Sequence, residues 1–147
     1  MKTVIRGIIY TAMAGVLVCA SGCQSPNIGI DNNALKPCPG SPNCVSSMAK
    51  DPSQFIEPFE YTGTLEAAKT KLLAIIGSTS RAQVITSENN YIHAEFTSLI
   101  FRFVDDVEFY FEDPAPVIHI RSASRVGYSD LGANRKRIEK IRQQFSQ

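Results

Sequence analysis

Side chains that could do chemistry are concentrated towards the C-terminal end of this sequence. The set comprises Asp105, Asp106, Arg121, Ser122, Ser124, Arg125, Asp130, Asn134 and Arg135. Two arginines, two serine hydroxyls and the start of a helix are groups that proteins use to bind phosphate or carboxylate. The same groups can instead form a structural hydrogen-bond network between the last helix and a sheet. The sequence favours the structural network and leaves the anion site open.

The acidic and hydroxyl groups of this set do not form a recognisable catalytic pattern. Asp105 and Asp106 are adjacent, so on a strand they point to opposite faces and cannot share one substrate atom. Ser122 and Ser124 do not lie in a G-x-S-x-G turn, and neither histidine of the chain has a sequence context that marks it as a base. No catalytic residue is therefore predicted.

The two histidines, His93 and His119, also give no metal-binding pattern. They are far apart, and the chain contains no H-E-x-x-H motif, no EF-hand loop and no phosphate-binding glycine loop. The sequence therefore predicts neither a metal site nor a cofactor.

Charged residues are unevenly distributed, although the formal net charge of the 147 residues is only +1. Acidic residues outnumber basic ones over residues 51–113, and basic residues outnumber acidic ones over residues 121–142. The basic segment can neutralise the acidic one or face water. Alternatively, it faces an anionic lipid or polymer. The near-neutral total gives no reason to expect a nucleic-acid partner.

Two cysteines, Cys38 and Cys44, lie in the segment CPGSPNC. Prolines and a glycine between them favour a turn that brings the two thiols together, and in an oxidising compartment such a pair forms a local disulfide. A structural zinc would need two further ligands, and thiol oxidoreductases use CxxC spacing. The spacing therefore favours a disulfide over a metal site or a redox pair.

The N-terminal residues have the composition of an export signal. Lys2 and Arg6 are followed by the apolar segment 7–18, which is short for a membrane span. Small residues at positions 20–22 then precede Cys23. This stretch resembles the bacterial lipobox, whose cysteine receives diacylglycerol, although Ala20 stands where leucine is usual.

The lipobox resemblance implies a lipoprotein signal peptide over residues 1–22 and a lipid on Cys23. Gln24, rather than aspartate, at the next position implies delivery to the outer membrane of a Gram-negative cell, facing the periplasm. Residues 23–36 are rich in Asn, Ser, Pro and Gly and are expected to form a flexible tether. Residues 37–147 then form a single domain, whose expected partners are the membrane, through the lipid, and an unknown envelope protein or small ligand.

The elements that position the C-terminal polar groups follow from apolar spacing. Helices are predicted over residues 64–76, capped by Thr64 and stopped by Gly77, and over 131–145. Strands are predicted over residues 55–61 (at most an edge strand), 81–88, 91–98, 100–104, 107–111 and 117–124. Whether 100–104 and 107–111 form one bent strand or two is open. This order predicts the α+β class, as a two-layer sandwich with a mainly antiparallel sheet of four to five strands and two helices on one face.

Alternation along the strands predicts which polar side chains share a face. Arg121 falls on the face of Ala123, whereas Ser122 and Ser124 fall on the other. Asn134 falls near the apolar stripe of the last helix, which comprises Leu131, Ile138, Ile141 and Phe145. A buried amide at that position must be hydrogen-bonded, because an unsatisfied one costs about 1–3 kcal/mol.

Three blocks resemble the signature blocks of the family called domain of unknown function 1499. They are CPGSPNCVSS (residues 38–47), FRFVDDVEF (101–109) and IRSASRVGYSDLGANRKRIEKIR (120–142). The resemblance covers essentially the whole expected domain. It implies a related fold and a shared polar core, and it brings no established activity.

These observations predict a membrane-anchored envelope lipoprotein whose domain is a non-catalytic binding or structural module. The alternative is a small-anion binding protein, for phosphate or carboxylate, or a hydrolase, using the Arg121–Arg125 cluster. Burial separates the two hypotheses. Side chains bonded to one another inside the protein indicate a structural network, whereas side chains that open onto one concave pocket indicate a ligand site.

Overall fold

The computed structural model describes residues 27–147. The predicted signal peptide and the predicted lipid-bearing Cys23 therefore lie outside the described residues. Within the described range the strands are β1 (Ile30–Asp31), β2 (Ala34–Leu35), β3 (Cys44–Ser46), β4 (Phe59–Glu60), β5 (Ala82–Glu88), β6 (Tyr91–Thr97), β7 (Val104–Glu112) and β8 (Val117–Ser124). The helices are α1 (Leu65–Ser78) and α2 (Ala133–Phe145).

Strands β5 to β8 form an antiparallel meander in chain order, and the short strands β3 and β4 both pair with β8. The α+β prediction is confirmed, but the described residues form a sheet of six strands rather than four to five. The additional strand is β3, which has only three residues and no detectable alternation. Its backbone pairing with β8 makes it a strand.

The segments 100–104 and 107–111 do not both form strands. Val104–Glu112 is one continuous strand, and residues 100–103 belong to the loop before it. Asp105 and Asp106 take regular positions in this strand because each is paired on both sides, with β6 and with β8.

The helices differ from prediction at their ends. Thr64 caps α1 as expected, its hydroxyl accepting a hydrogen bond from the Ala67 amide at 3.2 Å. The helix continues through Gly77, because an interior glycine costs only about 1 kcal/mol and does not by itself end a helix. Helix α2 begins at Ala133, and Leu131 lies before it, exposed to solvent. Neither helix in residues 27–147 is long and apolar enough to cross a membrane.

The hydrophobic core lies between both helices and one face of the sheet, here called the helix face. Its buried residues include Ala68, Leu72, Ile76, Ile92, Phe96, Val107, Phe109, Phe111, Ile118, Ile120, Ile138, Ile141 and Phe145. Burying each large side chain contributes about 1.5–3 kcal/mol, so this layer fixes the register of the meander. The register in turn decides which polar residues face the helices and which face away.

Part of the predicted tether is folded against the other face of the sheet. Strands β1 and β2 pair as a hairpin whose turn residues, Asn32 and Asn33, both have positive φ. Such a turn suits asparagine, which tolerates the left-handed region. Residues 29–35 are therefore folded and not flexible as predicted: Leu35 is buried, and the Gly29 amide donates to the buried carboxylate of Glu108.

The β5–β6 hairpin matches its prediction, with Asn89 in the turn at positive φ. Its ladder is irregular at one point, where Val84 pairs with Ala94 and Thr86 pairs with His93. Ile85 is therefore an extra residue, a β-bulge, in the edge strand β5.

Candidate functional site

The sheet register divides the predicted polar cluster between two faces. Asp105 pairs with Phe96 and Ser124 and lies on the helix face, whereas Asp106 pairs with Glu95 and Ala123 and lies on the opposite face. The cluster therefore forms two separate networks, one on each side of the sheet.

The helix-face network joins α2 to β7 and β8. Ser122 donates a hydrogen bond to Asn134 Oδ1 at 2.6 Å, and both residues are fully buried. Arg137 Nη1 donates to the same Asn134 oxygen at 2.6 Å, and its Nη2 donates to the Asp105 carboxylate. The guanidinium of Arg137 thus connects the helix to a strand carboxylate.

The amide nitrogen of Asn134 also has hydrogen-bond acceptors around it. It donates to the Asn43 carbonyl at 3.0 Å, to Ser124 Oγ at 3.0 Å and to the Asp130 carboxylate at 2.8 Å. Asp130 also accepts from the backbone amides of Gly132 and Asn134, so it caps the start of α2. An anion bound at this helix start would have to displace the Asp130 carboxylate.

On the opposite face, Asp106 is the centre of a chain of charged groups. Arg125 donates two hydrogen bonds to it, from Nε at 2.8 Å and from Nη2 at 2.7 Å. His93 Nε2 lies 2.8 Å from Asp106 Oδ1, and Arg125 also binds Glu95. His93 and Asp106 are buried, whereas Arg125 and Glu95 are partly exposed.

The pKa values of this chain follow from its contacts. Burial alone would raise the pKa of Asp106, but hydrogen bonds from Arg125 and His93 outweigh burial and hold the pKa below its ordinary value of 3.8. The hydrogen bond with Asp106 raises the pKa of Arg125, against the effect of burial, and Glu95 raises it further. Asp106 and Arg125 are therefore charged at neutral pH.

A second group on this face surrounds Glu108, whose side chain is 0% exposed. Its carboxylate accepts from Tyr91 Oη at 2.8 Å, from the Gly29 amide at 2.6 Å and from Arg121 Nη1 at 2.9 Å. Burial raises the pKa of Tyr91, and the negative charge of Glu108 raises it further, so the phenol stays protonated and donates. The buried Nε of Arg121 has no hydrogen-bond partner in the described range.

His119 belongs to neither group. Its Nε2 lies 2.9 Å from Glu112, and its Nδ1 lies 3.2 Å from Ser47 Oγ. This imidazole is hydrogen-bonded on both nitrogens near the edge of the sheet.

Several residues predicted for one cluster are thus placed together, and others are not. The helix-face network contains Asp105, Ser122, Ser124, Asp130 and Asn134, and the opposite face contains Asp106, Arg121 and Arg125. Arg135 joins neither network, because its guanidinium binds the carbonyls of Ser53 and Phe55. The predicted disulfide between Cys38 and Cys44 is confirmed.

The structure adds residues that the predicted set omits. They are Asn43, Tyr91, His93, Glu95, Glu108 and Arg137. Alternation could have found those on the sheet, because polar groups recur at every second position of β6 and β7. Arg137 lies three residues after Asn134, on the same helix face, which is a weaker signal. Nothing in the sequence marks Asn43.

The chemistry available to these networks is limited by their internal pairing. Ser122 lies on the helix face and His93 on the opposite face, so the two cannot form a nucleophile–base pair. No group of three or more metal-ligating side chains in residues 27–147 could hold a metal ion. The arrangement holds strands, helix α2 and the segment around Gly29 together.

Two described cavities border the domain, and the second of them shares Arg137 with the helix-face network. One, of about 720 Å³, is bordered by β4, α1 and the end of α2, and includes Tyr61 and Phe145. The other, of about 410 Å³, lies between the ends of α1 and β6 and helix α2, and includes Arg81 and Lys140. Neither cavity is lined by a residue of the predicted cluster.

The family model described as "Protein of unknown function (DUF1499)" matches residues 34–145. No curated protein matches the chain.

Proposed function

The chain belongs to the family described as Protein of unknown function (DUF1499), and we propose that it is a lipid-anchored envelope protein whose domain is a non-catalytic binding or structural module. The family description carries no activity. The proposal therefore depends on the sequence of the leader and on the contacts inside the domain.

The anchor is supported by the leader sequence and by the disulfide. Small residues precede Cys23 after an apolar segment, as in a lipobox. The Cys38–Cys44 bond supports export, because disulfides persist in oxidising compartments and are rare in the cytosol. An acylated cysteine carries several chains, and this gives stable membrane anchoring where a single chain would not.

The non-catalytic module is supported by one observation: the polar groups that could do chemistry are bound to one another. Ser122 and Asn134 are buried and paired on the helix face. Arg121 and Arg125, which would bind an anion, are paired with Glu108 and Asp106 on the opposite face. A small anion would have to compete with these buried carboxylates.

Acylation of Cys23 tests the anchor directly. We expect the chain, expressed in a Gram-negative host, to incorporate labelled palmitate and to accumulate as an unprocessed precursor in the presence of globomycin. Cys23→Ser should lose the label and the membrane fractionation. Cys19→Ser, which changes the leader only, is the matched control and should keep both. A Cys23→Ser protein that still carries label contradicts the anchor.

Ligand screening tests the structural interpretation of the polar networks. We expect that phosphates, carboxylates and sugars do not bind to these side chains and therefore do not change the melting temperature of the protein. The result against the proposal is a ligand-dependent shift that Arg121→Ala or Arg125→Gln abolishes in a folded variant. Arg125 is partly exposed, so its variant stays informative if the Arg121 variant does not fold.

A small-anion binder is the second candidate, and one feature favours it. The cavity of about 410 Å³ is lined by Arg81, Lys136, Arg137 and Lys140, with no carboxylate among its lining residues. Arg137 is already bound to Asp105, so the other three cations would provide the attraction. A thermal shift with inorganic phosphate that Lys140→Gln removes and Lys50→Gln keeps would support this candidate. An unchanged melting temperature would contradict it.

A further inference from the structure

One end of the domain exposes an unusual concentration of large apolar side chains. Leu99, Ile100 and Phe101 are consecutive in the β6–β7 loop and are 67%, 77% and 71% exposed. We call this region the apolar end; it comprises the exposed residues Leu99, Ile100, Phe101, Phe103, Val126, Tyr128 and Leu131. Exposed patches of this kind mark interaction sites for proteins or membranes.

The two loops of the apolar end are neighbours in the fold. The β6–β7 loop leads into Val104, and the second loop follows Ser124, where β7 and β8 are paired. The Arg125 amide donates to the Val104 carbonyl at 3.2 Å, which joins the two loops directly. The rings of Phe101 and Phe103 are stacked with centroids 5.5 Å apart. The apolar side chains therefore lie on two adjacent loops at the same end of the sheet.

The charges around the apolar end are positive. Arg102 lies within the loop, Arg81 donates from Nε to the Thr97 carbonyl at the same end, and Lys136 lies in the first turn of α2. None of these three forms an ion pair with a described residue. Asp130, the nearby carboxylate, is held by backbone amides as the helix cap.

Carboxylates outnumber cations at the other end of the sheet, where Lys69 donates to the Asn89 carbonyl at 2.7 Å. The turns at that end carry Glu88, Glu112 and Asp113, and Glu60 lies on the neighbouring strand β4. The balance of charge therefore differs along the strands: cations and apolar groups prevail at one end, and carboxylates prevail at the other. An anionic surface attracts the first end and repels the second.

We propose that the apolar end docks on the surface of an anionic phospholipid bilayer, with residues 99–101 inserted at the level of the headgroups and the adjacent cations bound to lipid phosphates. A lipid surface fits the combination of apolar loop tip and flanking cations. This inference rests on the proposed anchor, which places the domain at a membrane.

The length of the chain before the fold makes the docking geometrically possible. Gly29 is fixed to Glu108, halfway along β7, and lies only six positions after Cys23. Six residues span at most about 20 Å. Four strand residues from Glu108 to the start of β7 cover about 13 Å. The tether is long enough to bring either end of the sheet to the membrane. The apolar groups and the charges therefore decide which end docks.

Tryptophan fluorescence tests the insertion, because the chain contains no tryptophan. We use the mature chain with Cys23→Ser, which removes any lipid, and introduce Phe101→Trp. Vesicles of phosphatidylethanolamine and phosphatidylglycerol should shift its emission to shorter wavelength. Ile85→Trp, on an exposed position of the edge strand, is the matched control and should not shift.

Two further variants connect the shift to the proposed contacts. Adding Leu99→Ser and Ile100→Ser should weaken vesicle partitioning by about tenfold or more. Arg102→Gln should weaken it about fivefold, whereas Lys50→Gln, away from the apolar end, should not. All the changed side chains are exposed, and circular dichroism checks that each variant is folded.

An unshifted Phe101→Trp spectrum, or equal partitioning of the serine variants, overturns the docking. Equal binding to phosphatidylcholine vesicles overturns the choice of an anionic surface. Capture of an envelope protein by the apolar end without vesicle binding also overturns the proposal and identifies a protein partner instead. Palmitate labelling is measured separately, so failure of the anchor is distinguishable from failure of the docking.

Discussion

Asp105 and Asp106 are adjacent in the chain, and each belongs to a different network. Asp105 binds Arg137 on the helix face, and Asp106 binds Arg125 and His93 on the opposite face. A strand separates consecutive carboxylates in this way because its side chains alternate. The pair therefore stabilises two interfaces of one sheet.

Replacing Asp106 tests the opposite-face network. At neutral pH we expect Asp106→Asn to lower the free energy of unfolding by about 3 kcal/mol, because a buried ion pair loses one partner. The folded-state pKa lies below 3.8, so the stabilisation is complete above that value and is lost as pH falls through the folded-state pKa. The difference between wild type and variant, measured by urea denaturation, should shrink as the solution is acidified from about pH 6 to about pH 3.

The control for this prediction is Glu95→Gln. Glu95 binds the same arginine but is partly exposed, so we expect a loss below about 1 kcal/mol. Equal losses for the two variants, or a difference that is constant with pH, would show that burial of Asp106 is not the source of the stabilisation.

Replacing Asn134 tests the helix-face network in the same way. Asn134→Ala should lower the free energy of unfolding by about 3 kcal/mol, since it leaves the Asn43 carbonyl and Ser122 without their buried partner. Gln143→Ala, at an exposed position of the same helix, should cost less than about 0.5 kcal/mol. A neutral Asn134→Ala variant would mean that water replaces the amide at no cost.

Among the elements, β3 depends on the disulfide loop that precedes it. Cys44 is both the first residue of β3 and one end of the crosslink, and it pairs with Ala123 of β8. We expect reduction to lower the free energy of unfolding by about 2 kcal/mol, the loop-closure entropy of so short a ring. Urea denaturation with and without reductant measures this loss.

The double variant Cys38→Ala/Cys44→Ala is the matched control for reduction. It should have the stability of the reduced protein and should not respond to reductant. If reductant does not change the urea midpoint of the wild-type protein, that result contradicts a stabilising crosslink.

The larger elements could be predicted from the sequence because their periodicity is strong. Strand 117–124 has its predicted bounds, and alternation places Arg121 and Ser122 on the correct faces. The strands β1, β2 and β3 have two or three residues each, too few for a periodic signal. They form through tertiary contacts, such as those of Leu35, which local sequence does not specify.

The sequence predicts which residue types form the candidate site better than it predicts which of these residues bind one another. The sequence identifies the residue types of the polar set and places Arg121 and Ser122 on opposite faces, but it does not show which side chains bind one another. Pairings such as Arg137 with Asp105 join residues 32 positions apart, and only the packing of α2 on the sheet decides them. Glu108 has three partners from distant segments, among them Gly29 near the start of the described range.

At the scale of the whole molecule, the segment before the domain is part of the fold. Residues 29–36 of the predicted tether belong to the fold, and the hairpin of β1 and β2 covers the Glu108 group. Gly29 is therefore held at a fixed point on the sheet.

Two substitutions in the hairpin test this. Leu35→Ala should lower the free energy of unfolding by about 2 kcal/mol, because Leu35 is buried, whereas Ile30→Ala on the partner strand should be nearly neutral. Urea denaturation measures both. If the segment were a flexible tether, neither substitution would change the stability, and that outcome would contradict the packed hairpin.

The bulge at Ile85 has a consequence if the proposed anchor holds many copies of this protein in one membrane. Anchored molecules diffuse in two dimensions with similar orientation, so their β5 edges would meet more often than in free solution. A regular edge would let each copy extend the sheet of its neighbour, but the extra residue interrupts the ladder that a second strand would need. The bulge thus protects a crowded layer of such molecules against polymerisation through their sheets.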